Sequence, residues 1–444
     1  MGLKHIEQVK TVVLVLLIIL SITLTFSIWT YKPDYKTIEQ SPSVENTIAD
    51  KKKTGEVVQP YKLLAGLEGG LRGTTDPQSI ADAVDQIKTW TLQSVTLSDP
   101  EVTVDELNQM TGKKGQLVLF YPSSVPFEVI DNLFKFTDTV SNESAFERMI
   151  IEKDEVNGRV MVHFAGREGG RRYTAVAAGV DMQKLDELFE YAKEEFTSYD
   201  TVSRRGARTL YLPDKPASID ALIYNMEEIS PSKFKDALFP DKNNVKREQT
   251  APTREEYSDN SSIMTVETRT KTIAYVHPHP AAESKEVSIP SELLLNTLDF
   301  INQHGGWTNN YVFASMEPEK KKITYRLQIK GYPVFSDEKD TSTEIRLTWG
   351  DGQIFRYERP YYTLAEPFPE KERRELESGT EAAEWLRAEK GDDFQKVGEI
   401  IQAYTMSPDE QQNLYLLEPA WYYEENGKWQ QIGPDTRGSA NGLE

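Results

Sequence analysis

Hydrophobic and polar positions divide this chain into three stretches. From Thr11 to Tyr31 the run TVVLVLLIILSITLTFSIWTY carries no charged side chain. From Lys32 to Pro60 the sequence is polar and has no apolar period, and beyond Tyr61 short apolar runs alternate with turn residues. As a helix rising about 1.5 Å per residue, the first run spans roughly 31 Å, matching a hydrocarbon core of about 30 Å. It exceeds the roughly 7–15 apolar residues of a secretory signal, lacks small cleavage-site residues, and ends in Trp29 and Tyr31, interface anchors by residue type. The pattern predicts a short tail and an uncleaved transmembrane helix over residues 1–31, followed by a juxtamembrane stalk over residues 32–60. Lys4 and Lys10 before the helix nearly balance Lys32 and Lys36 after it. Long downstream domains translocate largely regardless of such charges. The expected topology is therefore a single-pass membrane protein with its N-terminus cytoplasmic and its bulk extracytoplasmic.

Past Tyr61 the pattern predicts helices and strands in alternation. Asp76-Pro77 reads as a cap followed by proline at the first helical position, with Ile80, Val84, Ile87 and Trp90 as one apolar stripe. A helix is expected from Thr103 to Met110, and Gln116–Tyr121 is a buried-strand candidate. Asn157-Gly158 separates two strands as a type I′ turn would. Asp181 caps a helix whose stripe is Leu185, Leu188, Ala192 and Phe196. Further on, a short helix opens at Ser230-Pro231, a polar loop is expected from Asp241 to Ser262, and paired strands follow. A helix from Pro290 to His304 ends at Gly305-Gly306. Hairpins are expected around 317–320, 350–352 and Asn426-Gly427. The fold class is α+β: an N-terminal single transmembrane helix, then a three-domain region of mixed helices and antiparallel sheets rich in hairpins. The expected units are 61–200, 201–285 and 286–433, with a polar tail at 434–444.

Charge narrows the function. Acidic residues number 71 against 51 Lys and Arg, a net charge of −20. Such a body is unsuited to nucleic acid, whose phosphates demand a basic face, and is not expected to lie flat on an anionic membrane. The chain has no cysteine, so it carries no disulfide and no lipobox.

Sequence patterns of chemistry are few. Ser230 and Ser232 each begin a Ser-x-x-Lys, and Ser258-Asp259-Asn260 and Lys53-Thr54-Gly55 complete the three short motifs of penicillin-interacting enzymes. Here Lys53-Thr54-Gly55 comes first in the chain and Ser230 is better explained as a helix cap. His277 and His279 could face one side of a strand end, but with no cysteine and no third ligand nearby they read as a surface loop rather than a metal site. Gly166 to Arg172 (GREGGRR) could cradle an anion, but a strand-joining turn carrying solvated charges is the better reading. No catalytic, cofactor-binding or metal-binding residue is assigned.

Several segments together resemble the YycH family, accessory regulators of the Gram-positive sensor histidine kinase WalK (also called YycG). They are LTFSIWTYKPDY at the membrane exit, ALFPD at 237–241, GYPVF at 331–335, RPYYTL at 359–364 and LEPAW at 417–421. One departure is Glu377, where the family pattern usually has proline. The resemblance implies three extracytoplasmic domains, the last similar to a sister regulator, YycI. It also implies a membrane complex with YycI and the kinase that modulates autokinase output and affects cell-wall metabolism, without catalytic residues. Within the predicted helix, Ser21 and Thr25, and Thr23 and Ser27, each lie four apart on one face. Small hydroxyl residues let helices approach and hydrogen-bond, although they also bond their own carbonyls one turn back. These four are the candidate helix–helix contacts, with Trp29 and Tyr31 as interface anchors. The alternatives of another class are a membrane-anchored cell-wall hydrolase and a receptor for a wall-derived ligand. For the penicillin-like motifs the expectation is definite: labelled penicillin does not acylate Ser230 or Ser232, as mass spectrometry of the treated chain would show.

Overall fold

The computed structural model describes residues 48–98, 102–131, 133–138, 144–154, 157–166, 170–278, 289–336, 341–350, 352–368, 372–409 and 414–433. Within the N-terminal segment it describes residues 14, 16–18, 20, 21, 23 and 24. Two compact units result, Met1–Asn46 and Thr47–Glu444. All described residues of the first are helical. Among the described residues no helix is long and apolar enough to cross a membrane. Most of the anchor expected at 11–31 lies outside the described residues.

Local capping chemistry sets the helices of the second unit. Asp76 accepts from Ser79 N at 2.8 Å and opens Pro77–Ile87, which buries Ile80, Ala83 and Ile87. Thr103 and Glu106 form a capping box for Val104–Met110, satisfying two otherwise orphaned backbone donors. Asp181 accepts from Gln183 N and Lys184 N and opens Met182–Glu195, with Leu185 and Ala192 buried. The remaining longer helices are Pro231–Leu238, Pro290–Gln303 and Gly379–Lys390. The last, with its own Ser378–Glu381 capping box, is not among the elements predicted above.

Strands assemble into two sheets. In the N-terminal sheet of ten strands, the central order is Gly70–Thr74, Lys62–Leu67, Gln116–Pro126, Ala145–Asp154, Arg159–Ala165, Arg172–Ala178 and Thr91–Ser98. Leu210–Pro213, paired with Thr197–Val202, closes one edge, and Lys135–Phe136 closes the other. The C-terminal sheet has fifteen strands from Ala217–Glu228 onward. It runs unbroken across residue 285, because Thr272–Val276 pairs antiparallel with Ile354–Pro360.

The polar stretch 241–262 holds a hairpin rather than a loop, with strands Lys246–Ala251 and Arg254–Ser258. It lies at the edge of the sheet, where both faces of Lys246–Ala251 meet solvent, so no apolar alternation marks it. Cross-strand pairing supplies the stabilisation instead, as Arg247 bonds both carboxylate oxygens of Glu255. Residues 48–60, expected within the stalk, are docked into the folded unit. Val57 and Val58 are buried, Lys52 N donates to Asn302 Oδ1 at 3.0 Å, and Trp307 N donates to Asp50 O at 3.0 Å.

Of the segments that carry the family resemblance, LTFSIWTYKPDY lies outside the described residues apart from Leu24, and GYPVF and RPYYTL contribute buried side chains. Gly331 of GYPVF has φ +86°, and a Cβ there would sit 2.6 Å from Thr75 O, so this close approach of the two sheets requires glycine. Phe335 stacks on Tyr422 at 4.3 Å. Arg359 of RPYYTL is fully buried. Its guanidinium donates to Gly306 O (2.9 Å), Tyr357 OH (2.9 Å) and Thr308 Oγ1 (3.2 Å), and lies 4.7 Å from the Phe234 ring. Among the described residues no carboxylate pairs with it within 4.0 Å. Neutral acceptors and an aromatic face therefore replace the counter-ion. A lysine cannot reproduce this planar fork. Arg359→Lys should lower unfolding free energy by about 2–4 kcal/mol, read as a shift of the urea midpoint, and an unchanged midpoint would refute this account.

Candidate functional site

Between the two sheets lies a cavity of about 190 Å³. Its floor comes from a row of register partners on three adjacent strands of the N-terminal sheet: Lys62 opposite Phe120, and Phe120 opposite Arg148. Successive residues of a strand face opposite sides of the sheet, so Leu64, Val118 and Ile150 lie on the same face one step further along. With Leu107 and Met110 of the helix Val104–Met110, they form a small second core. The charged row thus ends an apolar patch at positions where the alternation would place apolar residues. Glu399, on Val397–Asp409 of the other sheet, closes the cavity from the opposite side.

Side-chain geometry couples these groups. Lys62 is buried, and its Nζ donates to Tyr211 O (3.3 Å) and to Glu399 Oε1 (3.4 Å). Tyr61 OH donates to Glu399 Oε2 at 2.7 Å. Glu147, also buried, accepts from Arg208 Nη1 (2.8 Å) and Ser124 Oγ (3.1 Å). Arg148 is 4 % exposed and donates from Nη1 to Thr111 Oγ1 at 3.2 Å. The Phe120 ring is sandwiched, with Lys62 Nζ 4.7 Å and the Arg148 guanidinium 5.1 Å from its centroid. Such contacts recover about 0.5–2 kcal/mol each, against an effective desolvation cost of several kcal/mol per buried ion.

Protonation follows from burial and neighbouring charge. Burial lowers the Lys62 pKa, with Glu399 partly offsetting it. Burial and the nearby Arg208 lower that of Arg148. Burial pushes Glu399 upward, but the Lys62 charge, the Tyr61 hydrogen bond and the two arginines outweigh it and hold the carboxyl below its ordinary range. Burial together with Glu399 raises Tyr61 well above the usual phenol value, so it stays a donor. The arrangement suits recognition of charge. Glu399 is held ionised, so it is not poised as a general acid.

The sequence-stretch candidates fall elsewhere. Ser21 and Thr23 are helical, whereas Thr25, Ser27, Trp29 and Tyr31 lie outside the described residues. His279 and residues 167–169 also lie outside them. His277 Nδ1 sits 2.8 Å from Ser261 O and 3.2 Å from Ser262 Oγ. The penicillin-like motifs occupy three separate elements: Thr54-Gly55 opens the short helix Thr54–Val57, Ser230 Oγ contacts Ser232 Oγ (2.8 Å), and Asp259 Oδ1 caps the turn at Ser261 and Ser262. Lys235 pairs with Asp236 at 2.6 Å.

Because Glu399 has a lowered folded-state pKa, its ionised form stabilises the fold above the ordinary carboxylate value of about 4.3. That contribution is lost as pH falls through the folded value. Glu399→Gln should therefore cost about 2 kcal/mol at pH 6 and progressively less as pH falls through the folded value, below which the wild-type side chain is also neutral. Paired urea titrations across that range test it, and a gap independent of pH would sink the assignment.

Comparison with known proteins agrees with this architecture. Sequence models described as "YycH protein, N-terminal domain" and "YycH protein, C-terminal domain" match residues 7–195 and 207–436. The junction between them precedes the Leu210–Pro213 edge strand, shortly before the second sheet begins. The chain is 21 % identical over 459 residues to the Two-component system WalR/WalK regulatory protein YycH of Bacillus subtilis (strain 168), covering 99 % of each. The crystal structure of YycH from Bacillus subtilis superposes with a TM-score of 0.74 at 19 % identity, covering 88 % of this chain and 100 % of that one. The fold is therefore the mixed helix-and-sheet fold of that protein, and the chain belongs to the YycH family.

Proposed function

We propose that this protein is a membrane-anchored, non-catalytic regulator of a WalR/WalK-type two-component system. It acts on the sensor kinase WalK (YycG), in complex with the sister regulator YycI, and thereby influences cell-wall metabolism. The observation that carries this reading is the end-to-end match to a relative whose name states that it regulates WalR/WalK. Within the N-terminal unit, the described large apolar side chains Leu14, Leu16, Leu17, Ile18, Leu20 and Leu24 are each more than half exposed on a helix. Lipid is the solvent in which such a surface is at low free energy, which supports a single-pass anchor with the bulk outside the cell. The organisation proposed for the bulk is residues 61–200, then 201–285 and 286–433 as two parts built on one shared sheet, with the last resembling YycI.

Regulation in this reading is a population shift. A regulator changes kinase output only if it binds one signalling conformation better than another. The anchor, through Ser21, Thr23, Thr25 and Ser27, contacts neighbouring helices, seated at the interface by Trp29 and Tyr31, and the external domains hold or release that arrangement. Interhelical polar bonds in membranes average about 0.6 kcal/mol, so several are needed for a severalfold effect. Co-reconstitution of the full-length chain with WalK and YycI in lipid vesicles should change WalK autophosphorylation severalfold relative to vesicles lacking it. Replacing residues 11–31 by an unrelated apolar helix of equal length should abolish most of that change. Unaltered autophosphorylation on adding the full-length chain would overturn the assignment, and an unaffected helix-swapped chain would overturn the role of the anchor.

A further inference from the structure

The cavity between the sheets has a charge balance opposite to that of the molecule. The chain carries −20 overall, yet the charged residues lining the cavity are Lys62, Arg148, Arg208 and Arg326 against Glu147, Glu399 and Glu424. Of the lining cations, Lys62 pairs with Glu399, Arg208 with Glu147 and Arg326 with Glu344. Arg204 is spent on main-chain carbonyls, donating to Phe394 O, Val397 O and Arg208 O. Arg148 is different. It lines the cavity, is 4 % exposed, and no carboxylate of the described residues lies within ion-pair distance of it. A guanidinium has five N–H donors, and the one hydrogen bond described for Arg148 goes to Thr111 Oγ1.

The surroundings define the shape of what would complete it. Aromatic rings of Phe120, Tyr121, Tyr211 and Trp421 line the same cavity. A volume of about 190 Å³ exceeds many times the roughly 10–15 Å³ that one water needs. A water cluster could fill this space, but only an anion would supply the missing counter-charge.

We propose that this cavity is a binding site for a small organic anion, a carboxylate or phosphate borne on a compact aromatic or apolar body, with Arg148 as its principal counter-charge and Lys62 beside it. The occupant touches both sheets, so its binding is linked to how they pack on one another. This site stands independently of the kinase assignment, since binding is measured on the isolated chain.

Isothermal titration calorimetry on the detergent-purified full-length chain tests it with three probes of one body: benzoate, phenyl phosphate and neutral benzamide. Saturable one-to-one binding of benzoate, phenyl phosphate or both is expected, with benzamide at least tenfold weaker. Preference between the two anions identifies the head group. Arg148→Met should weaken anion binding at least tenfold, about 1.4 kcal/mol, while Glu399→Gln, which removes a competing negative charge, should tighten it severalfold. No saturable binding of either anion, or equal binding by wild type and Arg148→Met, overturns the proposal. Should Arg148→Met fail to fold by circular dichroism, Glu399→Gln decides alone, and unchanged or weaker anion binding by it counts as refutation.

Discussion

Closing two large sheets against each other forces polar and charged groups out of water, and the seam holds only where those groups find partners. Three solutions recur. Arg204 spends its Nη donors on main-chain carbonyls, Phe394 O and Val397 O among them. Lys62 and Arg208 reach carboxylates. Gly331 removes the side chain altogether so that one backbone can meet another. Main-chain carbonyls are good acceptors that carry no countercharge to desolvate, so the first solution avoids the penalty of a second buried ion. It also fixes geometry, because a planar guanidinium bonds several carbonyls only in one orientation.

Several of the residues behind the family resemblance belong to this seam and its neighbouring cores. Trp421 of LEPAW is buried, and its Nε1 donates to Glu377 O at 3.1 Å. Tyr361 and Tyr362 of RPYYTL are buried, and Leu238 and Phe239 of ALFPD pack in the main core. Those motifs identify a fold through its packing. They say little about chemistry, which explains why a sequence search for reactive groups returned decoys while the cavity carried no recognisable motif.

Legibility followed sequence distance. Caps at Asp76 and Asp181, the helix start at Thr103 and the turn at Asn426-Gly427 depend on residues within four positions of one another and were readable. At Asn157-Gly158, by contrast, only the glycine has a positive φ, so the type I′ turn expected there does not form. The hairpin 246–258 was not, because an edge strand wet on both faces needs no alternation, and Arg247–Glu255 pairing leaves no hydrophobic trace. Residues 48–60 read as stalk because their partners, Asn302 and Trp307, lie some 250 positions away. The cavity was hidden for the same reason. Lys62, Phe120 and Arg148 become one row only through strand register, and a lysine or arginine beside an apolar run looks like an ordinary strand end. The local clue was Arg148 itself, a charge one position from Met149, Ile150 and Ile151 in a run that is otherwise buried.

The edge hairpin has a consequence for assembly. An open sheet margin ordinarily invites a neighbouring chain to add its own strand, in a fibre or a complex. Here Lys246–Ala251 sets lysine, arginine and glutamate along that margin, so zippering by backbone hydrogen bonds would crowd like charges and strip their hydration. This flank is guarded, and a companion protein that meets it must recognise side chains rather than add a strand to it.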